Sequence, residues 1–189
     1  MTVDRPEQIR LEVNQWLEEV VIALQLCPFA AKPVRDKQHR VVVSQALDIQ
    51  AALMLLENEI DLLEQDVKSE AHIGTYIETS LLVLPEMFGD FYDFNDFLSL
   101  ANDCLENGGW LGKYQIASFH PRYQFAGTQV GDAENLTNCA PYPILHILRE
   151  ASVSEAIDNY KEVEKIPERN IQRMQKLTAA ERNRYFPYL

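Results

Sequence analysis

Three short apolar runs decide what this chain can fold into. Arg40-Val41-Val42-Val43-Ser44, Ile77 to Leu84 and Lys113 to Phe119 read as strands, the second stopped by Pro85. Long amphipathic segments separate them. One carries Leu53, Leu56, Ile60, Leu63 and Val67 on one face and Glu57, Asp61, Glu64 and Asp66 on the other. The next carries Phe91, Phe94, Leu98, Ala101 and Leu105 and ends at Gly108-Gly109. Strands joined through helices of this length run parallel with right-handed crossovers. The expected fold is therefore α/β: a small, mainly parallel sheet of about three or four strands with helices packed on it. An α+β two-layer sandwich is the alternative.

The flanks add helices. Asp4 is placed to cap a first helix, Pro6 suits its first turn, and Glu7 follows three residues after the cap. Ile9, Val13, Trp16, Leu17, Val20 and Leu24 keep helical spacing up to Leu26-Cys27-Pro28, where proline ends it. A basic loop with Lys32, Arg35, Lys37 and Arg40 follows. After the third strand, residues 118–146 lose periodicity and fill with hydrogen-bonding groups, the texture of a long functional loop. Pro143 is expected to open a short helix through Arg149. Ser152 and Glu155 read as a capping box for another, and Pro167 starts a last helix over 168–177. The 189 residues suit one domain over 1–189, with 178–189 a short C-terminal tail.

Charge narrows the partners. Seventeen Lys and Arg against 29 Asp and Glu give a net charge of −12. Residues 41–112 hold fourteen of the acids and one base, Lys68, whereas residues 161–189 hold seven bases and four acids. Nucleic acid is excluded as a bulk electrostatic partner, because its affinity rests on cations meeting phosphates. With 47% hydrophobic residues the chain is too apolar for disorder. The apolar cluster Val20-Val21-Ile22-Ala23-Leu24 is too short to span a membrane, and no signal peptide is visible. Cys27, Cys104 and Cys139 are widely spaced and odd in number, which points to reduced thiols in a cytoplasm.

The candidate chemistry lies at two segments. Ligands of open α/β sheets bind beyond the carboxyl ends of the strands, where Ser118 to Tyr123 begins the long loop. The other segment is Cys27-Pro28-Phe29-Ala30, beside the basic loop. A catalytic cysteine needs its thiolate, which Lys32, Arg35 and Arg40 are near enough in sequence to stabilise. Against this stands the ordinary role of a buried cysteine as a small hydrophobe. His120 or His146 can serve as general base for Cys27 or for a water, or simply cap loop backbone. Arg149 and Arg40 suit an anionic group through their planar forks, and Tyr123, Asn138 and Tyr142 complete a substrate-binding set. Asn135 and Asn138 are also placed to tie the loop to itself. His120, Asp132, Glu134 and His146 lack a metal-ligand spacing such as H-E-x-x-H, so no metal is expected. Gly108-Gly109-Trp110-Leu111-Gly112 precedes a strand and reads as a turn, not a nucleotide loop.

These segments resemble domain-of-unknown-function family 1415, found mainly in bacteria. The carrying pieces are Trp16-Leu17-Glu18, Leu26-Cys27-Pro28-Phe29-Ala30 and Thr79-Ser80-Leu81-Leu82-Val83. Further pieces are Gln115 through Pro121, Tyr123 through Thr128, Pro141-Tyr142-Pro143 through Ala151, and Glu168-Arg169-Asn170-Ile171. Where the family has Asn-Arg-Ser-Pro-Tyr-Pro, this chain reads Asn138-Cys139-Ala140-Pro141-Tyr142-Pro143, which removes an arginine and a serine from a polar loop. The resemblance brings no established reaction. Cys-Pro-Phe-Ala also looks like the active segment of some glutathione-transferase and glutaredoxin-type proteins, but those place the cysteine at a helix start, and here it follows a long helix.

The expectation from sequence is an enzyme acting on a small polar or anionic molecule, a transferase, hydrolase or thiol redox enzyme with Cys27 and His120 in its site. Its cofactor is left open. The competing expectation is a non-catalytic ligand-binding or assembly domain in which the same residues brace the loop.

Overall fold

A computed structural model describes residues 4–68 and 76–189, with side chains at 66–68 outside the description. Asp66 and Val67, placed on opposite faces of a helix by their spacing, lie outside the described side chains. Helix α1, Arg5–Trp16, starts as its sequence dictates: the Asp4 carboxylate accepts from Glu7 N–H at 2.9 Å. It runs on into a π-helical segment, Leu17–Ile22. The short helix α2, Ala31–Arg35, leads to strand β1, His39–Val43. Helix α3, Ile49–Lys68, crosses to β2, Thr79–Val83. Helix α4, Phe91–Asn107, crosses to β3, Tyr114–Phe119. The end of α4 is a Schellman turn. Trp110 N–H bonds Leu105 O and Gly109 N–H bonds Glu106 O, with Gly109 at φ +71°.

The segment expected as a helix after Pro143 is instead strand β4, Ile144–Arg149. Helix α5, Glu150–Asp158, follows it directly, starting after Arg149 and not at the expected Ser152 cap. Ile144, Leu145 and Ile147 are wholly buried, one pair of faces serving two cores. A short apolar run buried on both faces has no period to distinguish strand from helix. The sheet order is β1-β2-β4-β3. β1 and β2 pair in parallel, as expected, while β4 is antiparallel to both β2 and β3. The sheet is therefore mixed, not mainly parallel. The three strands legible in the sequence do share one direction, and the fourth is inserted between two of them.

Each face of the sheet carries a core. On one side Leu82, Leu84, Leu145 and Ile147 meet Leu56, Ile60 and Leu63 of α3 and Phe94, Phe97 and Leu105 of α4. On the other, Leu81, Val83 and Ile144 meet Ile9, Val13 and Trp16 of α1 and the π-helical Val20 and Val21. Helix α6, Ile166–Gln175, adds Met174 to that second core. The segment expected as a tail contains helix α7, Ala179–Tyr185, started by a Thr178–Glu181 capping box, and it drives Phe186 into the same core.

Candidate functional site

Alternation along the strands puts His39, Thr79 and His146 on the α1 side of the sheet, on the three adjacent strands β1, β2 and β4. Their hydrogen bonds fix both imidazole tautomers. Thr79 Oγ1 donates to Ile147 O at 2.6 Å, so it accepts from His146 Nε2–H at 2.7 Å. Asn14 Nδ2 donates to Arg10 O at 2.8 Å, which turns its Oδ1 toward His39 Nε2–H, also at 2.8 Å. Both rings thus spend their protons on the protein and keep the Nδ1 lone pair. His39 Nδ1 is buried and without a partner, and His146 Nδ1 has none among the described residues. Burial, reinforced by the neighbouring His39, pushes the His146 pKa down to about 4. Its side is nevertheless only partly covered. The result is a neutral base between the sheet and α1, beside Phe119.

His120 is placed differently. Its Nε2–H donates to Phe88 O at 2.8 Å and its Nδ1 accepts Arg122 N–H at 2.9 Å, so both ring nitrogens are engaged. The ring lies between Phe91 and Phe94, at 5.5 and 5.4 Å, and burial lowers its pKa. Phe88 holds a left-handed backbone, φ +57°, to present that carbonyl. Asn138 Nδ2 donates to Ser118 O and Asn138 O accepts His120 N–H, which clamps the loop to β3. Asn135 ties the same loop through Phe125 N–H, Thr128 and Gln129 O, as its position in the sequence led us to expect. Tyr123 packs at a tilt on Phe91 and edge-on to Phe125, at 4.9 and 4.8 Å. The structure thus gathers His120, Tyr123 and Asn138 into one loop brace.

The remaining candidates are dispersed. Arg149 is buried on the α3 side. It donates to Tyr114 OH at 2.9 Å, Leu63 O at 2.8 Å and Ile77 O at 3.1 Å, with the Tyr76 ring 5.2 Å from its guanidinium. Arg40 pairs with the buried Glu59 of α3 at 3.1 Å. Tyr142 donates to Glu12 at 2.6 Å across to α1, and burial together with that carboxylate raises its pKa to about 12. Cys27 packs against the α1-side core. Burial pushes its thiol up, while the Phe29 and Ala30 amides pull less strongly the other way. Cys27 and His120 belong to different cores and share no contact among the described residues. His39, Thr79 and Asn14 were not singled out by their sequence context. Only the strand order makes neighbours of residues 39, 79 and 146. Among the described residues no group of three or more His, Cys, Asp or Glu could hold a metal, and no helix is long and apolar enough to cross a membrane.

Fold and site together define an α/β protein with a mixed four-stranded sheet, helices on both faces and a pair of hydrogen-bonded histidines on one of them. The chain belongs to the family described as protein of unknown function (DUF1415), whose model matches residues 8–184. No curated protein and no solved structure matches it.

Proposed function

We propose that this protein is an enzyme acting on a small polar molecule at the histidine pair on β1 and β4, with His146 as general base. The observation that carries the reading is the matched pair of imidazoles whose Nε2–H groups are committed and whose Nδ1 lone pairs are not. A neutral imidazole held in one tautomer by a second group is the arrangement proton abstraction needs. Nδ1 of His146 takes a proton from a substrate hydroxyl or amine, or from a water, and Thr79 holds the ring as it becomes charged. His39 supplies a second acceptor for a substrate donor. On this reading His120, Asn138 and Arg149 brace the fold, and Cys27, a protonated thiol at neutral pH, packs beside the site's helix. The three free cysteines suit a reducing compartment such as a cytoplasm.

The bracing bonds of His120, Asn138 and Arg149 favour a second reading, a non-catalytic ligand-binding or assembly domain. One experiment separates the two. Small polar metabolites are screened by thermal shift against the parent chain, His146→Gln and His39→Gln, and each hit is followed by NMR for turnover. The enzyme reading expects hits that lose their shift in both variants and are converted only by the parent. Hits bound through the histidines but never converted identify a binding domain, and hits indifferent to both substitutions overturn the histidine pair as the site.

A further inference from the structure

Helices α6 and α7 flank an open cleft of about 320 Å³ lined by Arg169, Gln172, Arg173, Lys176, Leu177 and Glu181. Its charge runs against that of the molecule. Three cations and one acid line it, a local +2 (3 − 1), in a chain of −12. Yet none of Arg169, Arg173 or Lys176 forms an ion pair among the described residues. The one acid is already occupied, because Glu181 accepts from Thr178 N–H at 2.8 Å and from its hydroxyl at 2.7 Å. The two guanidinium groups are held in place without being neutralised. Arg173 donates to the carbonyls of Leu24 and of Gln25, the latter at 3.1 Å. Arg169 donates to Lys165 O at 3.3 Å and lies over the Tyr160 ring at 5.8 Å. Carbonyl dipoles and a ring face orient a cation and leave its unit charge available.

From this geometry we propose that the α6–α7 cleft binds a small phosphate ester. Its size is that of a small-ligand pocket. The two guanidinium groups, their forks partly spent on carbonyls and on the Gln25 side chain, keep their charge and some N–H groups beside an ammonium, and a phosphoryl dianion offers three terminal oxygens and the charge to balance the local +2. The acidic remainder of the surface disfavours a long polyanion. The site is independent of the histidine pair on the sheet and stands or falls separately.

The test is calorimetric titration of the full chain with inorganic phosphate and with glycerol phosphate, each at ionic strength matched with chloride. Saturable one-to-one binding is expected, weakened at least about tenfold by Lys176→Gln and by Arg169→Ala, each about 1.4 kcal/mol. Both side chains are exposed, so circular dichroism should be unchanged. Tighter binding of the ester identifies a phosphorylated metabolite as the source, and equal binding identifies free phosphate. Heat that the chloride control reproduces, or binding that both variants retain, overturns the proposal. So does preference for a polyglutamate peptide over either phosphate, which would make the cleft a contact for acidic protein.

Discussion

His146 is the single residue on which most of the proposed chemistry rests, and its burial has a measurable consequence. Its folded pKa lies near 4 against an ordinary 6.5, so between those values the unfolded chain binds more protons than the folded one. Stability is full above pH 6.5 and falls as the pH drops toward 4, by roughly 3 kcal/mol from this residue. His120, also lowered by burial, acts in the same direction. We expect His146→Gln to flatten the acid limb of stability against pH, measured by urea unfolding, and to leave a shallower slope from His120. An unchanged limb would mean that His146 is not buried as a neutral base. The histidine itself was legible in the sequence as a candidate, but its partners were not. His39 and Thr79 are forty residues apart in the chain and meet only because β1 and β2 are paired in register. His120 stood out for its place after a strand, and what its ring does there was set by the backbone of Phe88, a residue with no sequence mark of a left-handed conformation.

At the scale of elements, Arg149 is the joint between the end of β4, the end of α3 and the approach to β2. Its guanidinium satisfies the carbonyls of Leu63 and Ile77 and the hydroxyl of Tyr114. Arg149→Met keeps much of the apolar stem but leaves those acceptors buried and unpaired. We expect a loss of about 2–4 kcal/mol in chemical unfolding, with the histidine pair, on the opposite face of the sheet, undisturbed. The sequence marked Arg149 as polar and strong, the attributes of a ligand-binding arginine. What it could not convey is that β4 turns this residue toward α3, because the segment from Ile144 to Leu148 carries apolar residues at a spacing equally compatible with a helix. Helices α1, α3 and α4, by contrast, were legible in their caps, their periodicity and the glycine pair that ends α4. These signals are local, whereas strand order is not.

Across the whole molecule the charge is segregated. The acids of residues 41–112 lie mainly on α3, α4 and the loops beside them, and Arg169, Arg173 and Lys176, without an ion pair among the described residues, sit together on α6 and just beyond it. Exposed like charges repel across the folded surface more than in an extended chain. Raising NaCl from 0.02 to 0.3 M shortens the Debye length from roughly 20 to 6 Å, and we expect it to raise the Tm by a few degrees in calorimetry. A flat or falling Tm would show that the acids are spaced too widely to repel. This expectation is also why the phosphate titration is run against chloride at equal ionic strength.

The position of β4 in the sheet also sets a timetable. During synthesis β1, β2 and β3 leave the ribosome first, yet β2 and β3 never touch, and the strand that joins them follows only after the loop of residues 120–143. Until then the nascent chain holds open the two strand edges that β4 will fill, one on β2 and one on β3, each able to recruit a strand from another chain. The braced loop, with its asparagine clamps and its histidine wedged between two phenylalanines, delivers Pro143 to the mouth of that gap. Its internal bonds shorten the span that β4 must close to reach its slot.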